Sequence, residues 1–173
     1  MATSPRSTAL THAAVAELLQ DPQPLQAAGP HELAPPVDRV WSYLDVRTPE
    51  EFATGHVPGA YNIPYQLGDL AGLHPNPDFL GVAAATFAQH APLIIGCRSG
   101  GRAAAAERAL RGAGYTELHV HLGSLTGGRD AFGRVKDGWM EAGHAVTSTA
   151  IAGRTPAELS AARLGTKLTR SKS

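Results

Sequence analysis

The only cysteine of the chain, Cys97, lies between an apolar run and a glycine-rich segment that leads into an alanine-rich stretch. The apolar run at 93–96 predicts a buried strand, and the alanines at 103–106 predict a helix. At the N-terminal end of a helix, unpaired N–H groups and the helix dipole stabilise a thiolate and lower its pKa. The sequence therefore predicts a nucleophilic thiolate, whereas a free cysteine is more often a small buried hydrophobe.

The segment after Cys97 combines two glycines with two arginines. The glycines let the backbone curl so that its N–H groups point inward and form an anion site at the start of the helix. Guanidinium groups donate paired hydrogen bonds that suit oxyanions. The combination predicts nucleophilic attack on a substrate that carries an oxyanion. The residues assigned to substrate binding are Arg98, Ser99, Gly100, Gly101 and Arg102.

Short strands that alternate with helices predict an α/β fold, in which helices cover both faces of a parallel sheet. The predicted strands are 40–46, 60–63, 93–96 and 116–122. The predicted helices are 11–20, 49–54, 78–90, 102–111 and 137–142. Thr48–Glu51 forms a capping box for the second helix. Ligands of such sheets bind beyond the carboxyl ends of the strands, where Cys97 falls.

A chain of 173 residues is long enough for one domain with tails. We expect a flexible N-terminus over 1–10, the domain over 11–146, and a basic, partly disordered tail over 147–173 with a short helix at 156–164. Residues 21–39 contain five prolines and predict a long surface excursion.

The composition restricts the partners and the compartment. Lys plus Arg equal Asp plus Glu at 15 each, so no net charge favours nucleic acid or an anionic membrane. One cysteine excludes an internal disulfide and a zinc site of two or more cysteines, which fits a reducing compartment. No apolar run is long enough to span a membrane. We expect a cytoplasmic protein; the alternative is an organellar one, because the N-terminal segment is rich in Ser, Thr and Ala.

Two long motifs resemble those of the rhodanese family. Residues 43–52 and 55–64 resemble its first signature, and 97–102 resembles its active-site loop. The resemblance covers about residues 40–146 and implies a rhodanese-like, five-stranded parallel sheet. It implies a sulfurtransferase in which the Cys97 thiolate takes the outer sulfur of thiosulfate or a similar anionic donor, releases sulfite and passes the sulfur to cyanide or a thiol. It implies no cofactor. A protein persulfide is an alternative acceptor, and neither nucleic acid nor a membrane is expected as a partner.

Two other functions stay open on this scaffold. One is a persulfide carrier or regulatory binding module without enzyme activity. The other is a phosphatase or arsenate reductase. The family's sulfurtransferases have six positions in the active-site loop and its phosphatases and arsenate reductases seven, and positions 97 to 102 give six. Gly96 stands where such phosphatases usually carry a histidine, and the chain has no second cysteine to resolve an oxidised one.

Four polar residues outside the Cys97 loop are expected to support the structure rather than to take part in catalysis. Asp45 and Arg47 follow the strand expected beside the Cys97 loop, and we expect them to hydrogen-bond the loop backbone and fix its shape. Glu51 is explained by the capping box and His56 by a turn hydrogen bond, so neither is assigned to catalysis.

His119 and His121 share one face of a predicted strand, a spacing that metal sites use. We interpret them as ordinary strand residues and predict no metal site, because no cysteine or carboxylate lies at a matching spacing. The glycine-rich segment 123–129 follows the same strand but lacks the lysine of a phosphate loop. It is also longer than the compact glycine pair and tryptophan of rhodaneses, so the sequence leaves this wall of the site undefined.

Overall fold

The computed structural model describes residues 8–19, 40–129 and 132–170. The strands are β1 (Thr8–Leu10), β2 (Ser42–Asp45), β3 (Tyr61–Asn62), β4 (Gln66–Asp69), β5 (Gly72–Pro75), β6 (Leu93–Gly96), β7 (Leu118–His121), β8 (Gly128–Arg129) and β9 (Val135–Lys136). The helices are α1 (His12–Leu19), α2 (Pro49–Thr54), α3 (Phe79–Thr86), α4 (Gly101–Gly112) and α5 (Pro156–Arg170). Within these ranges no helix has both the length and the apolar character needed to cross a membrane. The predicted excursion over 21–39 lies outside the described residues.

A five-stranded sheet in the order β1-β7-β6-β2-β3 forms the centre of the molecule, and all its pairings are parallel. The central strand β6 is buried along its whole length, as its unbroken apolar sequence requires. Asp45 and Gly96 lie opposite each other at the carboxyl ends of β2 and β6. The chain segments that follow β2, β6 and β7 therefore meet at the carboxyl end of the sheet. The five-stranded parallel sheet confirms the predicted α/β fold class.

Helices cover both faces of this sheet, as predicted. One apolar cluster joins Leu44 and Ile95 of the sheet to α3, α4 and Leu159 of α5. The other joins Tyr43 and Ile94 to Val15 of α1 and to Phe52 of α2. Neighbouring residues of β2 and β6 thus point to opposite faces, and the parallel sheet is buried on both sides.

The predicted helix over 137–142 is wrong. The N–H groups of Trp139 and Met140 donate to the carbonyls of Ser124 and Leu125 rather than forming a helical ladder. The cause is a close backbone approach at Gly138, where a Cβ would lie 2.4 Å from the backbone nitrogen of Gly127. Residues 138–140 therefore run against the loop that follows β7.

The described residues on either side of the predicted domain form secondary structure as well. Thr8–Leu10, placed in the flexible N-terminus over 1–10, pair with β7 as an edge strand. Beyond 146, α5 extends to Arg170 rather than ending at 164, and Leu159 is buried in the core. Arg163 of α5 forms an ion pair with Asp78. The contacts that order these segments, with β7 and with Asp78, join residues far apart in the sequence.

Two antiparallel hairpins, β4–β5 and β8–β9, were not predicted. The β4–β5 hairpin carries Leu70, which is fully exposed, and Leu73, which is half-exposed. Because these strands bury little apolar surface, they lack the hydrophobic alternation by which strands are predicted.

Gly96 is the residue of β6 that leads into Cys97, and we expect Gly96→Ala to destabilise the protein strongly. A Cβ at this position would lie 1.8 Å from the hydroxyl oxygen of the buried Tyr43. The clash should lower the free energy of unfolding by about 3 kcal/mol, measured by urea denaturation. Gly112→Ala at the end of α4 is the control, because a Cβ there meets nothing within 4 Å; its effect should stay within about 1 kcal/mol. Equal effects of the two changes would contradict the prediction.

Candidate active site

Cys97 lies at the turn between β6 and α4, with its side chain beneath the first residues of the helix. The residue is 2% exposed, and the N–H of Gly100 donates to its Sγ at 3.0 Å. Gly100 can turn its N–H toward the sulfur because it adopts the left-handed conformation, with φ of 108°, which glycine takes at no steric cost. The positive end of the twelve-residue helix α4 thus points at the sulfur.

Ser124, which the sequence did not single out, supports Cys97 from the loop after β7. The N–H of Cys97 donates to Ser124 Oγ at 3.0 Å, and this hydroxyl donates to the carbonyl of His121 at 3.1 Å. The hydroxyl oxygen also lies 4.0 Å from Cys97 Sγ. Ser124 has φ of 51°, an unusual value for a residue other than glycine. The only signal in the sequence was its position just after the carboxyl end of a predicted parallel strand.

Arg102 is held by Glu51 in a bidentate ion pair. Its two terminal nitrogens donate to the carboxylate at 2.6 and 2.8 Å. The hydrogen bonds from Arg102 lower the pKa of Glu51, and those to Glu51 raise the pKa of Arg102. The same carboxylate accepts from the N–H of Thr48 at 3.1 Å, so the predicted capping box is present. Glu51 therefore caps α2 and fixes a guanidinium group beside the Cys97 loop, a second role that the sequence did not reveal.

Asp45 and Arg47 form a buried ion pair, and their hydrogen bonds differ from those expected. Arg47 donates to both carboxylate oxygens of Asp45 and to the carbonyls of Glu51 and Gly55. These bonds connect the end of β2 to α2 rather than to the backbone of 97–102. Among the described residues these side-chain bonds reach β2 and α2, and direct support of the loop by the ion pair stays a prediction. Support reaches the loop through Glu51 and Arg102.

The remaining predicted substrate-binding residues lie on the exposed rim of the loop. Arg98, Ser99 and Gly101 are exposed, and Gly100 is half-buried. The carbonyl of Arg98 accepts hydrogen bonds from the N–H and the hydroxyl of Thr126. The loop is thus anchored on its outer side by the segment after β7, while the Arg98 side chain faces solvent.

Residues 30–131, more than half of the chain, match the family model of the rhodanese-like domain. The chain belongs to the rhodanese family. It is 45% identical over 84 residues to Thiosulfate sulfurtransferase 16, chloroplastic, of Arabidopsis thaliana, covering 49% of this chain and 70% of the relative. It is 41% identical over 103 residues to the Arabidopsis Protein HIGH ARSENIC CONTENT 1, mitochondrial, covering 60% of this chain and 54% of that relative, little more than half its length.

The likeness extends to solved structures. A rhodanese-related protein from Thermoplasma volcanium superposes with a TM-score of 0.51, covering 82% of this chain and 99% of that chain. At 18% sequence identity, this similarity supports the fold alone.

The rhodanese domain has a cavity of about 400 Å³ beside the Cys97 loop. The loop backbone forms one wall, and the carboxyl end of β7 forms the other. The lining side chains are mostly apolar and include Ala9, Ala104, Val120 and Leu122. The cavity provides space for a small molecule next to the loop.

His119 and His121 have different surroundings in the rhodanese domain. The ring of His119 packs against Trp41, whereas His121 is fully buried between Tyr43 and His12. Within the described ranges, no group of three or more His, Cys, Asp or Glu side chains is arranged to hold a metal ion. His121 is therefore part of a buried hydrogen-bonded chain.

Burial of His121 makes the stability of the domain depend on pH. Desolvation, followed by the nearby His12 and His144, lowers the pKa of His121 from 6.5 to about 3. A histidine that is neutral in the folded state takes up a proton on unfolding below pH 6.5. The free energy of unfolding should therefore fall by about 1.4 kcal/mol per pH unit as the pH decreases from about 6 toward 3. Urea denaturation at pH 7 and pH 5 measures the loss, and His121→Asn should show a smaller one; an equal loss would contradict this assignment.

Proposed function

We propose that this rhodanese domain is a sulfurtransferase that moves a sulfane sulfur from thiosulfate, or a similar anionic donor, to a thiol or cyanide. The observation that carries the proposal is the position of Cys97 Sγ, which accepts the N–H of Gly100 at the N-terminus of α4. This environment favours negative charge on sulfur. The 45% identity over 84 residues to a relative named thiosulfate sulfurtransferase also supports this reaction.

In the first step the Cys97 thiolate attacks the outer sulfur of thiosulfate. A bond forms between Sγ and that sulfur, the S–S bond of the donor breaks, and sulfite leaves with the electron pair. The product is a Cys97 persulfide anion. In the second step cyanide or a thiolate attacks the outer sulfur, the persulfide bond breaks, and Cys97 leaves as a thiolate.

The surrounding groups provide charge and position. The N–H of Gly100 stabilises the negative sulfur, and Ser124 holds the N–H of Cys97 so that the sulfur stays beneath the helix. Arg102, oriented by Glu51, and the exposed Arg98 supply positive charge for the oxyanion of the donor. No residue is required as a base, because the nucleophile reacts as its thiolate.

Mass spectrometry after treatment with thiosulfate tests the proposal. The wild-type protein should gain the mass of about one sulfur atom, and cyanide should remove it with formation of thiocyanate. If the persulfide forms but turnover with cyanide, glutathione and dithiothreitol stays negligible, the chain is a persulfide carrier or binding module. If no sulfur is taken up, the proposal fails. Assays with arsenate and an aryl phosphate test the alternative chemistry, against which the six-position loop argues.

The proposed partners are a small sulfur donor and a thiol or cyanide acceptor, with a protein persulfide acceptor as the alternative. The relatives named chloroplastic and mitochondrial support the organellar alternative over the cytoplasmic location expected first.

A further inference from the structure

Three side chains form a continuous hydrogen-bonded chain from α1 through β7 to β2. His12 Nε2 lies 2.7 Å from the carbonyl oxygen of Asp137, and His12 Nδ1 lies 2.6 Å from His121 Nε2. His121 Nδ1 lies 2.8 Å from the hydroxyl oxygen of Tyr43. His121 and Tyr43 are 0% and 2% exposed, so their polar atoms rely on one another rather than on water.

The carbonyl at one end fixes the direction of every hydrogen in this chain. A carbonyl only accepts, so His12 carries its hydrogen on Nε2, and Nδ1 of the neutral ring accepts. His121 therefore donates through Nε2 and accepts through Nδ1, and Tyr43 donates its hydroxyl hydrogen to His121. In this arrangement both imidazoles are neutral, and every hydrogen of the hydrogen-bonded chain has an acceptor.

The hydrogen-bonded chain of His12, His121 and Tyr43 ends at the residues that hold Cys97. The Tyr43 hydroxyl lies against Gly96, where an added Cβ would come within 1.8 Å of the oxygen. The carbonyl of His121 accepts from the Ser124 hydroxyl, which in turn accepts the N–H of Cys97. Both the side chain and the backbone of His121 therefore connect to the Gly96–Cys97 segment.

We propose that His12, His121 and Tyr43 are positioning residues for Cys97, and that protonation of His12 reverses their hydrogen-bond chain and slows the reactions of the thiol. A protonated His12 presents an N–H at Nδ1 as well, so His121 must accept through Nε2 and carry its hydrogen on Nδ1. The Tyr43 hydroxyl must then accept, and its own hydrogen loses its acceptor beside Gly96. An unsatisfied buried donor is costly, and the strain falls next to the reactive residue.

Other titratable and charged groups face the chain from several elements. His144 stacks on Trp139 and lies 6.2 Å from the His12 ring. Burial is the largest cause of the raised pKa of Tyr43; Asp45 and Cys97 raise it further, and Arg47 lowers it. The half-buried His12 is the member of the chain closest to solvent, and burial keeps His121 neutral by lowering its pKa to about 3. His12 is therefore the part of the hydrogen-bonded chain that solvent can reach.

Alkylation of Cys97 by iodoacetamide at pH 5 and pH 8 tests the proposal without any sulfur donor. The inference rests on Cys97 as the reactive group of the proposed function. Because alkylation needs no sulfur donor, this assay can show that the hydrogen-bonded chain does not affect Cys97 even if sulfur transfer occurs, and the reverse. For each protein, the rate of alkylation at pH 5 is divided by its rate at pH 8. This ratio should be about tenfold lower for the wild type than for Tyr43→Phe or His12→Asn. Asn keeps an acceptor near the position of Nδ1 but does not titrate. His119→Asn, outside the chain, should behave like the wild type.

Nitrogen-15 NMR of the wild-type imidazoles provides a second test that needs no variant. At pH 8 both His12 and His121 should carry their hydrogen on Nε2. A hydrogen on Nδ1 of His121 would overturn the proposed direction of the chain. Equal pH ratios of alkylation in the wild type, Tyr43→Phe and His12→Asn would overturn the coupling to Cys97.

Discussion

Cys97→Ser should abolish both persulfide formation and sulfur transfer while leaving the fold intact. A serine hydroxyl can still accept the N–H of Gly100, but it is not ionised at neutral pH and does not attack a sulfane sulfur. Because the chain has one cysteine, no second thiol can take over the role. Mass spectrometry after thiosulfate treatment should show no added sulfur, and thiocyanate formation should fall to the uncatalysed rate.

Urea denaturation serves as the control for this variant. The change in the free energy of unfolding should stay within about 1 kcal/mol, because the serine is smaller and keeps the hydrogen bond to the loop. Sulfur uptake that persists in a folded Cys97→Ser protein would mean that the persulfide assignment is wrong.

Arg102→Ala should lower kcat/KM for thiosulfate about 100-fold, a smaller loss than that of Cys97→Ser. The substitution removes the guanidinium group that Glu51 holds beside the Cys97 loop at 2.6 and 2.8 Å. Losing charge-assisted hydrogen bonds to an oxyanion costs about 1.5–3 kcal/mol each. Steady-state kinetics with thiosulfate and cyanide measures the loss. Transfer from an uncharged sulfur donor should be affected much less.

Glu51→Gln provides the matched control for Arg102→Ala. Glutamine preserves the capping box of α2 but removes the carboxylate charge opposite Arg102. If Arg102 binds the donor, this variant should retain most of the wild-type kcat/KM for thiosulfate, because the guanidinium group remains in the site. A loss as large as that of Arg102→Ala would show that the ion pair only supports the loop.

The local part of the site was predictable, and its long-range part was not. The apolar run of β6, the glycines at 100 and 101 and the alanines of α4 determine a strand, a tight turn and a helix through neighbouring residues alone. The contact between Cys97 and Ser124 joins residues 27 apart, and that between Arg102 and Glu51 joins residues 51 apart. Sequence periodicity contains no information on such pairings.

Contacts between distant residues also explain why some helices and strands were predicted wrongly. His12 and His121 lie 109 positions apart, and the pairing of β1 with β7 helps to bring them together. The segment at 137–142 has an acceptable helical composition, but the backbone contact between Gly138 and Gly127 excludes a helix there. In each case tertiary packing, rather than local propensity, decided the conformation.

The segment that follows residue 146 closes an open edge of the sheet. Strand β3 has only two residues, and the N–H of Asn62 donates to the carbonyl of Arg154 at 2.9 Å. The guanidinium group of Arg154 also lies 4.4 Å from the centre of the Tyr61 ring. An uncovered edge strand is a template for pairing with another chain. The residues expected to form a tail thus cover this edge, and truncation after residue 146 should expose it to pairing with another chain.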